Sequence, residues 1–409
     1  MPGLSRLFAM SWSETALLSV VSLANLAITM LALAPAELGV VALWVSAVSL
    51  AGFAAERGLG DVLCVRWTQA SPWQRPAIEA RHVQGLMPGL MLGTAVGIMA
   101  AWFDGLALVA IAHLWAFAAY RIMLFQVMVH RAFGRQMALH LSVEASRTAC
   151  LLILLHLGVP LLGLAGTTAV LLAYPASHLA IAALVLADRT FYRLHLPGRL
   201  LPRSLRRDLW RDRHRLAATI FKNLADGMPL WLIGGMLSTH AAGLYSLVQR
   251  LIAFPYGFLR RAESLLLVHL CATPGDREFR RAAAVQAAAA TALAILSATA
   301  SLCAAPLFPE QYRPALGLFS GFVVVLIPAA LTGAIRSRVM AAGDHFRLAL
   351  HYLLNLIVVG ILVGWALLAG GGLPWAMTAV VAACSIGTGL IAMAARHPQR
   401  QLRTDPKPA

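Results

Sequence analysis

The sequence is short of charge. Charged residues are 12% of its 409 positions, about half the share usual for a soluble domain, and only 17 of them are acidic. A water-soluble fold of this length needs a charged surface, so a soluble enzyme and a disordered chain are excluded. Cysteine is scarce as well. Cys64, Cys150, Cys271, Cys303 and Cys384 form no C-x-x-C pair and fall mostly in or beside apolar runs. They read as small packing residues, which leaves no disulfide frame and no metal site. Also missing are a Walker A loop, H-E-x-x-H, G-x-S-x-G and a glycine-rich dinucleotide turn. Gly371-Gly372 reads as a short turn. Without an ATPase module, any transport must draw on an ion or substrate gradient, and no cofactor is implied.

Apolar residues make up 60% of the chain, and the mean hydropathy is +0.75. A spanning helix takes about 20 mostly apolar residues, and twelve such runs are present: 14–34, 38–56, 83–103, 105–128, 138–158, 163–187, 217–237, 241–262, 283–305, 315–335, 348–369 and 374–394. They are too long and too uniformly apolar for barrel strands. Pro88, Pro229, Pro255 and Pro328 lie within or near their ends, as membrane helices tolerate. The expectation is an all-α polytopic membrane protein. Ala32-Leu33-Ala34 mimics a signal-peptide cleavage site, but the run before it is long and leads straight into another span, so it reads as an uncleaved anchor.

The net charge of +16 resembles a nucleic-acid signal until its residues are placed. With the N-terminus inside, 29 of the 33 basic residues fall in inner segments, Arg313 alone falls in an outer loop, and Arg121, Arg147 and Arg250 lie within spans. That bias puts both termini in the cytoplasm, with no nucleic-acid partner. The stretch from Asp188 to Arg215 holds nine arginines and suits either an orienting loop or contact with anionic membrane lipids.

Six spans precede this basic stretch and six follow it. The organisation expected is a lobe at 1–187, a linker at 188–216 and a second lobe at 217–409. Weak internal matches support a repeat. Glu37-Leu38-Gly39-Val40-Val41 and Ala242-Gly243-Leu244-Tyr245 open spans 2 and 8. Phe133-Gly134 before His140 parallels Ala342-Gly343 before His351. Lobes of equal topology would be related by a pseudo-twofold axis along the membrane normal. In that register His140 and Glu144 correspond to His351 and Asn355.

Ionisable groups deep in a span are costly and face a cavity or a partner. His140, Glu144 and Arg147 follow i, i+4, i+7 spacing and so share one face of span 5. Arg147 is near mid-depth by residue count. This face is either a cationic spot with Glu144 as its partner or proton carrier, or a self-satisfied Glu144–Arg147 pair. Asp226 and Arg250 lie at comparable depth on neighbouring spans, so pairing between them is one expectation and a cavity role the other. Arg121 is nearer the inner surface. Asn25 and Asn355 are uncharged candidates for hydrogen bonds to a sugar or a headgroup, or for interhelical contacts. Asp226, Glu144 and Glu263 are isolated along the chain and do not read as a catalytic acid–base pair.

Three stretches resemble the MOP superfamily, in particular its polysaccharide-transport branch of O-antigen flippase-like proteins. They are Phe53-Ala54-Ala55-Glu56-Arg57-Gly58-Leu59-Gly60 with Val65-Arg66; Phe221-Lys222-Asn223-Leu224-Ala225-Asp226 through Gly243-Leu244-Tyr245 to Arg250; and Tyr312 through Arg338-Val339-Met340-Ala341-Ala342-Gly343 to Asn355. The loops are shorter than the family pattern, and the basic residues are nearly all arginine. The resemblance implies two six-helix lobes around a V-shaped cavity in a bacterial inner membrane. It implies alternating-access export of an oligosaccharide on a polyprenyl pyrophosphate, with a glycan polymerase or glycosyltransferases as partners in polysaccharide or lipopolysaccharide biosynthesis. Arginine offers a bidentate fork to such a headgroup, which singles out Arg147 and Arg250, one per half. Alternatives are an ion-coupled multidrug exporter of the same superfamily, a membrane-embedded glycan ligase or glycosyltransferase, and a scaffold.

Overall fold

The structure, a computed structural model, describes residues 2–56, 63, 67, 70–71, 73–129, 133–187, 210, 213–272, 276–342 and 344–395. Most of the basic linker, the tail, Arg57, Arg66, Arg131, Gly58-Leu59-Gly60 and Gly343 lie outside them. Among the described residues there are twelve long helices and no strand. They are α1 (Pro2–Ala32), α2 (Pro35–Glu56), α3 (Arg75–Ala101), α4 (Leu106–Val129), α5 (Phe133–Ile153, continued by the wide turn Leu154–Gly158 and Val159–Leu162) and α6 (Gly166–Ala187). The second set is α7 (Arg213–Met236), α8 (Thr239–Ala272), α9 (Asp276–Ala304), α10 (Arg313–Phe322, a tight turn Val323–Val325, then Leu326–Ala341), α11 (His345–Leu368) and α12 (Gly372–Ala395).

Each forms where the sequence offers a long apolar run, and each stops where backbone chemistry demands it. Gly163 ends α5 in the left-handed region at φ 64°, which costs glycine nothing. Ten of the twelve are long and apolar enough to cross a membrane by composition. The other two, α7 and α8, carry Lys222, Asp226 and Arg250 along their length, which lowers their hydropathy. Helix α7 already begins at Arg213, inside the stretch expected as linker. Large apolar side chains such as Val20, Leu31, Met91, Leu296 and Trp365 point outward, as a lipid environment requires.

The two halves pair their helices in the same pattern. In the first, α1 packs on α5, α5 on α6, α3 on α4, α4 on α6, and α2 on both α3 and α4; in the second, α7 packs on α11, α11 on α12, α9 on α10, α10 on α12, and α8 on both α9 and α10. This gives two six-helix lobes with pseudo-twofold equivalence. The lobes meet where α2 crosses α8, flanked by α2 on α7 and α1 on α8. At the crossing a Cβ on Gly39 would stand 1.8 Å from the Thr239 carbonyl oxygen, and one on Gly243 would stand 1.8 Å from the Pro35 carbonyl oxygen. Each carbonyl belongs to the residue four before the opposing glycine, so the contact is itself symmetric. Only glycine allows two backbones to come this close. Nearby, the buried Tyr312 hydroxyl donates to the Leu33 carbonyl at 2.9 Å, tying α10 to the end of α1.

Candidate functional site

Inside the first lobe is a cavity of about 430 Å³, lined by Leu18 and Ser22 of α1, Val45 and Ser49 of α2, His113, Phe117 and Tyr120 of α4, His140, Val143, Glu144 and Arg147 of α5, and Tyr174 and His178 of α6. A second cavity of about 200 Å³ adjoins it towards the other lobe. Asn25, Leu26, Thr29, Leu151, Arg250 and Phe254 complete its walls. Ser22, Val45, Glu144, Arg147 and Tyr174 belong to both. The two cavities thus share a boundary formed by α1, α2, α5 and α6, with Glu144 and Arg147 on it.

Tyr174 is the meeting point. The Arg147 guanidinium carbon lies 4.5 Å from its ring centroid, a cation–π distance. Arg250, from the other lobe, donates from Nη2 to the Tyr174 hydroxyl at 3.2 Å. Arg147 also donates from Nη1 to both Glu144 oxygens, at 2.8 and 3.0 Å, while its Nε is buried without a hydrogen-bond partner. Asn25 donates from Nδ2 to Glu144 Oε2 at 3.1 Å and to the Glu144 carbonyl at 3.2 Å. Its own oxygen accepts from the Thr148 hydroxyl at 2.7 Å. The i, i+3 spacing of Glu144 and Arg147 makes their pairing local. The i, i+4 spacing of Glu144 and Thr148 brings both to the face that meets α1.

The sequence-derived residues separate into groups. Arg147, Arg250, Asn25, Glu144 and His140 come together around the two chambers. His140 is hydrogen-bonded through Nδ1 to the Tyr120 hydroxyl. Asp226 and Arg250 do not pair. Asp226 takes Lys222 one turn away at 2.7 Å, while Arg250 reaches across to Tyr174. A partner on the same helix face is reached without any helix rearrangement. Arg121 is absent from both cavity linings. It is held by two hydrogen bonds of 2.6 Å to the buried Glu56 at the end of α2. Asn355 is also absent from them, and its side chain packs against Gly387 between α11 and α12. Glu263, isolated in sequence, has a partner in space: Arg336 donates to it from Nε at 2.7 Å and to the Tyr352 hydroxyl from Nη1 at 2.9 Å. The Glu56–Arg121 and Glu263–Arg336 pairs join the second and fourth helices of their respective lobes.

The aromatic wall of the larger chamber was missed from sequence. His113 lies against Tyr174 and His178, with ring centroids 5.3 and 5.6 Å apart, and His178 lies 5.2 Å from Tyr120. Its signal was present as polar aromatics at helical spacing within apolar runs: His113, Phe117 and Tyr120 on one span, Tyr174 and His178 on another. Among the described residues no group of three or more His, Cys, Asp or Glu side chains is placed to hold a metal ion. Of the cysteines, Cys150 and Cys384 are partly buried and Cys303 is exposed.

This is the architecture of a two-lobed membrane transporter fold. No family model matches the chain, and no curated protein matches it in sequence. Solved structures match over nearly the whole length. An inward-facing multidrug resistance MATE family transporter of the MOP superfamily aligns with a TM-score of 0.63 at 13% identity, over 92% of this chain and 94% of that one. The lipid II flippase MurJ, in an inward closed conformation, aligns with a TM-score of 0.72 at 9% identity, over 96% and 87%. A variant of the Vibrio cholerae MATE transporter VcmN aligns at 0.64 and 13%, over 97% and 98%. The chain thus has the fold shared by these MOP-superfamily proteins.

Proposed function

We propose that the chain is a flippase that carries an oligosaccharide linked to a polyprenyl pyrophosphate from the inner to the outer leaflet of the bacterial inner membrane, by alternating access of lobes 1–187 and 217–409. The observation that carries this reading is the convergence of two guanidiniums, Arg147 and Arg250, one from each lobe, on Tyr174 beside a polar chamber at mid-depth. In a low-dielectric cavity such donors favour an oxyanion, and the arginine fork suits phosphate oxygens. A headgroup held by both arginines bridges the lobes, so its arrival and release are coupled to their relative motion. The lipid tail stays in the bilayer, both termini face the cytoplasm, and the glycan-building enzymes of the same pathway are the natural partners.

One observation favours a second reading, an exporter of organic cations: the wall of His113, Phe117, Tyr120 and Tyr174 is aromatic. The two arginines oppose it, because a cationic ligand would meet like charge. Replacing Arg147 or Arg250 with alanine should abolish surface glycan display while the protein remains at normal level in the membrane. Normal display in both variants, together with efflux of a cationic dye by the unmodified protein, would transfer the assignment to the exporter.

A further inference from the structure

We propose that Glu144 is an exchange counter-ion: it occupies Arg147 when the site is empty, gives it up to the substrate anion, and takes it back to drive release. This rests on the reading that Arg147 and Arg250 bind an anionic headgroup, and adds how that headgroup is let go.

A guanidinium left bare in a cavity of low dielectric is costly, so an empty carrier that has discharged its anion needs a replacement. Glu144 supplies one through the two hydrogen bonds from Arg147 Nη1. A displaced carboxylate also needs a partner, and one is already present. Asn25 Nδ2 contacts Glu144 Oε2 at 3.1 Å, and Thr148 holds the Asn25 oxygen at 2.7 Å, so the amide is oriented before the exchange. Glu144 is therefore held by two donors at once, and on giving up Arg147 it keeps Asn25 with only a small side-chain movement. The position suits this role: Glu144 lines both chambers, and its side chain is only 22% exposed. Arg147 also has a buried Nε without a hydrogen-bond partner. Arg250, held by a neutral phenol, has no such competitor among the described residues, so the two arginines differ in role. Arg250 captures, and Arg147 captures and releases. Glu144 acts through Arg147 and is a positioning residue.

The test uses the full-length protein in lipid nanodiscs, with farnesyl diphosphate and inorganic pyrophosphate as titrants, alongside surface glycan display in cells. Removing the competitor by Glu144→Gln should tighten binding about tenfold, the equivalent of one charge-assisted hydrogen bond, while display falls because release slows. A gain with either titrant supports the exchange, and the two arms distinguish a lipid-borne from a free diphosphate. Asn25→Ala removes the waiting partner and leaves the Arg147 pair, so binding should weaken about threefold, less than one full hydrogen bond. The exchange is overturned if Glu144→Gln binds no tighter, if it binds tighter yet displays glycan normally, or if Asn25→Ala leaves affinity unchanged. The underlying site reading fails separately: it falls if Arg147→Ala and Arg250→Ala bind both titrants as the unmodified protein does.

Discussion

In the first lobe, α1 and α5 bring together Asn25, Glu144, Arg147 and Thr148; in the second, α7 and α11 occupy the equivalent places. The helix pairings are the same, and the register that aligns Glu144 with Asn355 sets Arg147 opposite Val358 and Thr148 opposite Val359. Val359 is buried in the largest apolar cluster of the molecule, which draws mainly on α7–α12. The first lobe has a cavity of about 430 Å³ lined by Glu144 and Arg147, whereas the positions matching Arg147 and Thr148 in the second are Val358 and Val359. The helix plan repeats while the side chains at these positions differ, since a fold supplies geometry and a site supplies function. The second lobe contributes Arg250 to the first lobe's site.

The largest effect tests what the lobes share. Glu56 and Glu263 are buried, and each is tied to an arginine on the fourth helix of its lobe. Removing one partner of a buried pair strands the other charge, at a cost of about 3–5 kcal/mol. Glu56→Ala and Glu263→Ala should therefore lower thermal stability in detergent to a similar degree. A loss in only one lobe would break the structural equivalence.

The next effect tests where the lobes differ. Arg147→Ala should weaken farnesyl diphosphate binding by about ten- to a hundredfold, as expected for loss of one or two charge-assisted hydrogen bonds. Lys222→Ala should change it by less than about threefold, because Lys222 is paired to an Asp226 whose side chain is 64% exposed and an exposed pair contributes little. Equal losses in a titration of the two variants would mean that the second lobe holds the headgroup at Lys222 as well as through Arg250.

The lobe contact comes third. Gly39→Ala or Gly243→Ala places a methyl group 1.8 Å from a carbonyl oxygen of the other lobe, and overpacking of this kind costs about 1–3 kcal/mol. Gly389→Ala, where a Cβ meets nothing within 4 Å, should instead stabilise α12 by about 0.5–1 kcal/mol, as alanine does over glycine in a helix interior. Unchanged melting in the Gly39 and Gly243 variants would show that the lobes already separate freely at this crossing.

The sequence disclosed much of this through length and charge placement. The twelve apolar runs marked the helices, and the Gly39 and Gly243 openings, read only as a weak sign of a repeat, lie on the two helices that cross. Arg147, Glu144 and His140 were legible because three ionisable groups on one face of an apolar helix have few bland explanations. What stayed hidden depends on contacts distant in sequence. Arg121 falls inside an apolar run, nearer the inner surface, and its partner Glu56 is 65 residues away. Asp226 and Arg250 have matching depth, yet depth does not say which way a helix is turned. Tyr174 had only the faint signal of its i, i+4 spacing with His178, since a tyrosine in an apolar span is ordinary. Its importance comes from the two arginines that reach it from different helices.

The smallest effect separates polar contacts that hold helices together from those that serve the site. Thr332 and Thr388 join α10 to α12 through hydroxyls 2.7 Å apart, and Thr388 also donates to the Pro328 carbonyl at 3.0 Å. Thr332→Val leaves Thr388 with that acceptor, so the loss should be about 0.6 kcal/mol, the average for an interhelical hydrogen bond in a membrane. Thr148→Val removes a contact of the same length, the hydroxyl that orients Asn25, and the stability loss should be equally small. Display should differ. Asn25 without Thr148 is free to rotate its amide away from Glu144, which disturbs the Arg147 network, whereas Thr332 touches no group of either chamber. Measured together, the pair should match in melting temperature and diverge in surface glycan. If Thr148→Val displays as Thr332→Val does, the polar contacts of α1 with α5 are mere helix packing, and the chemical difference between the lobes narrows to the arginines.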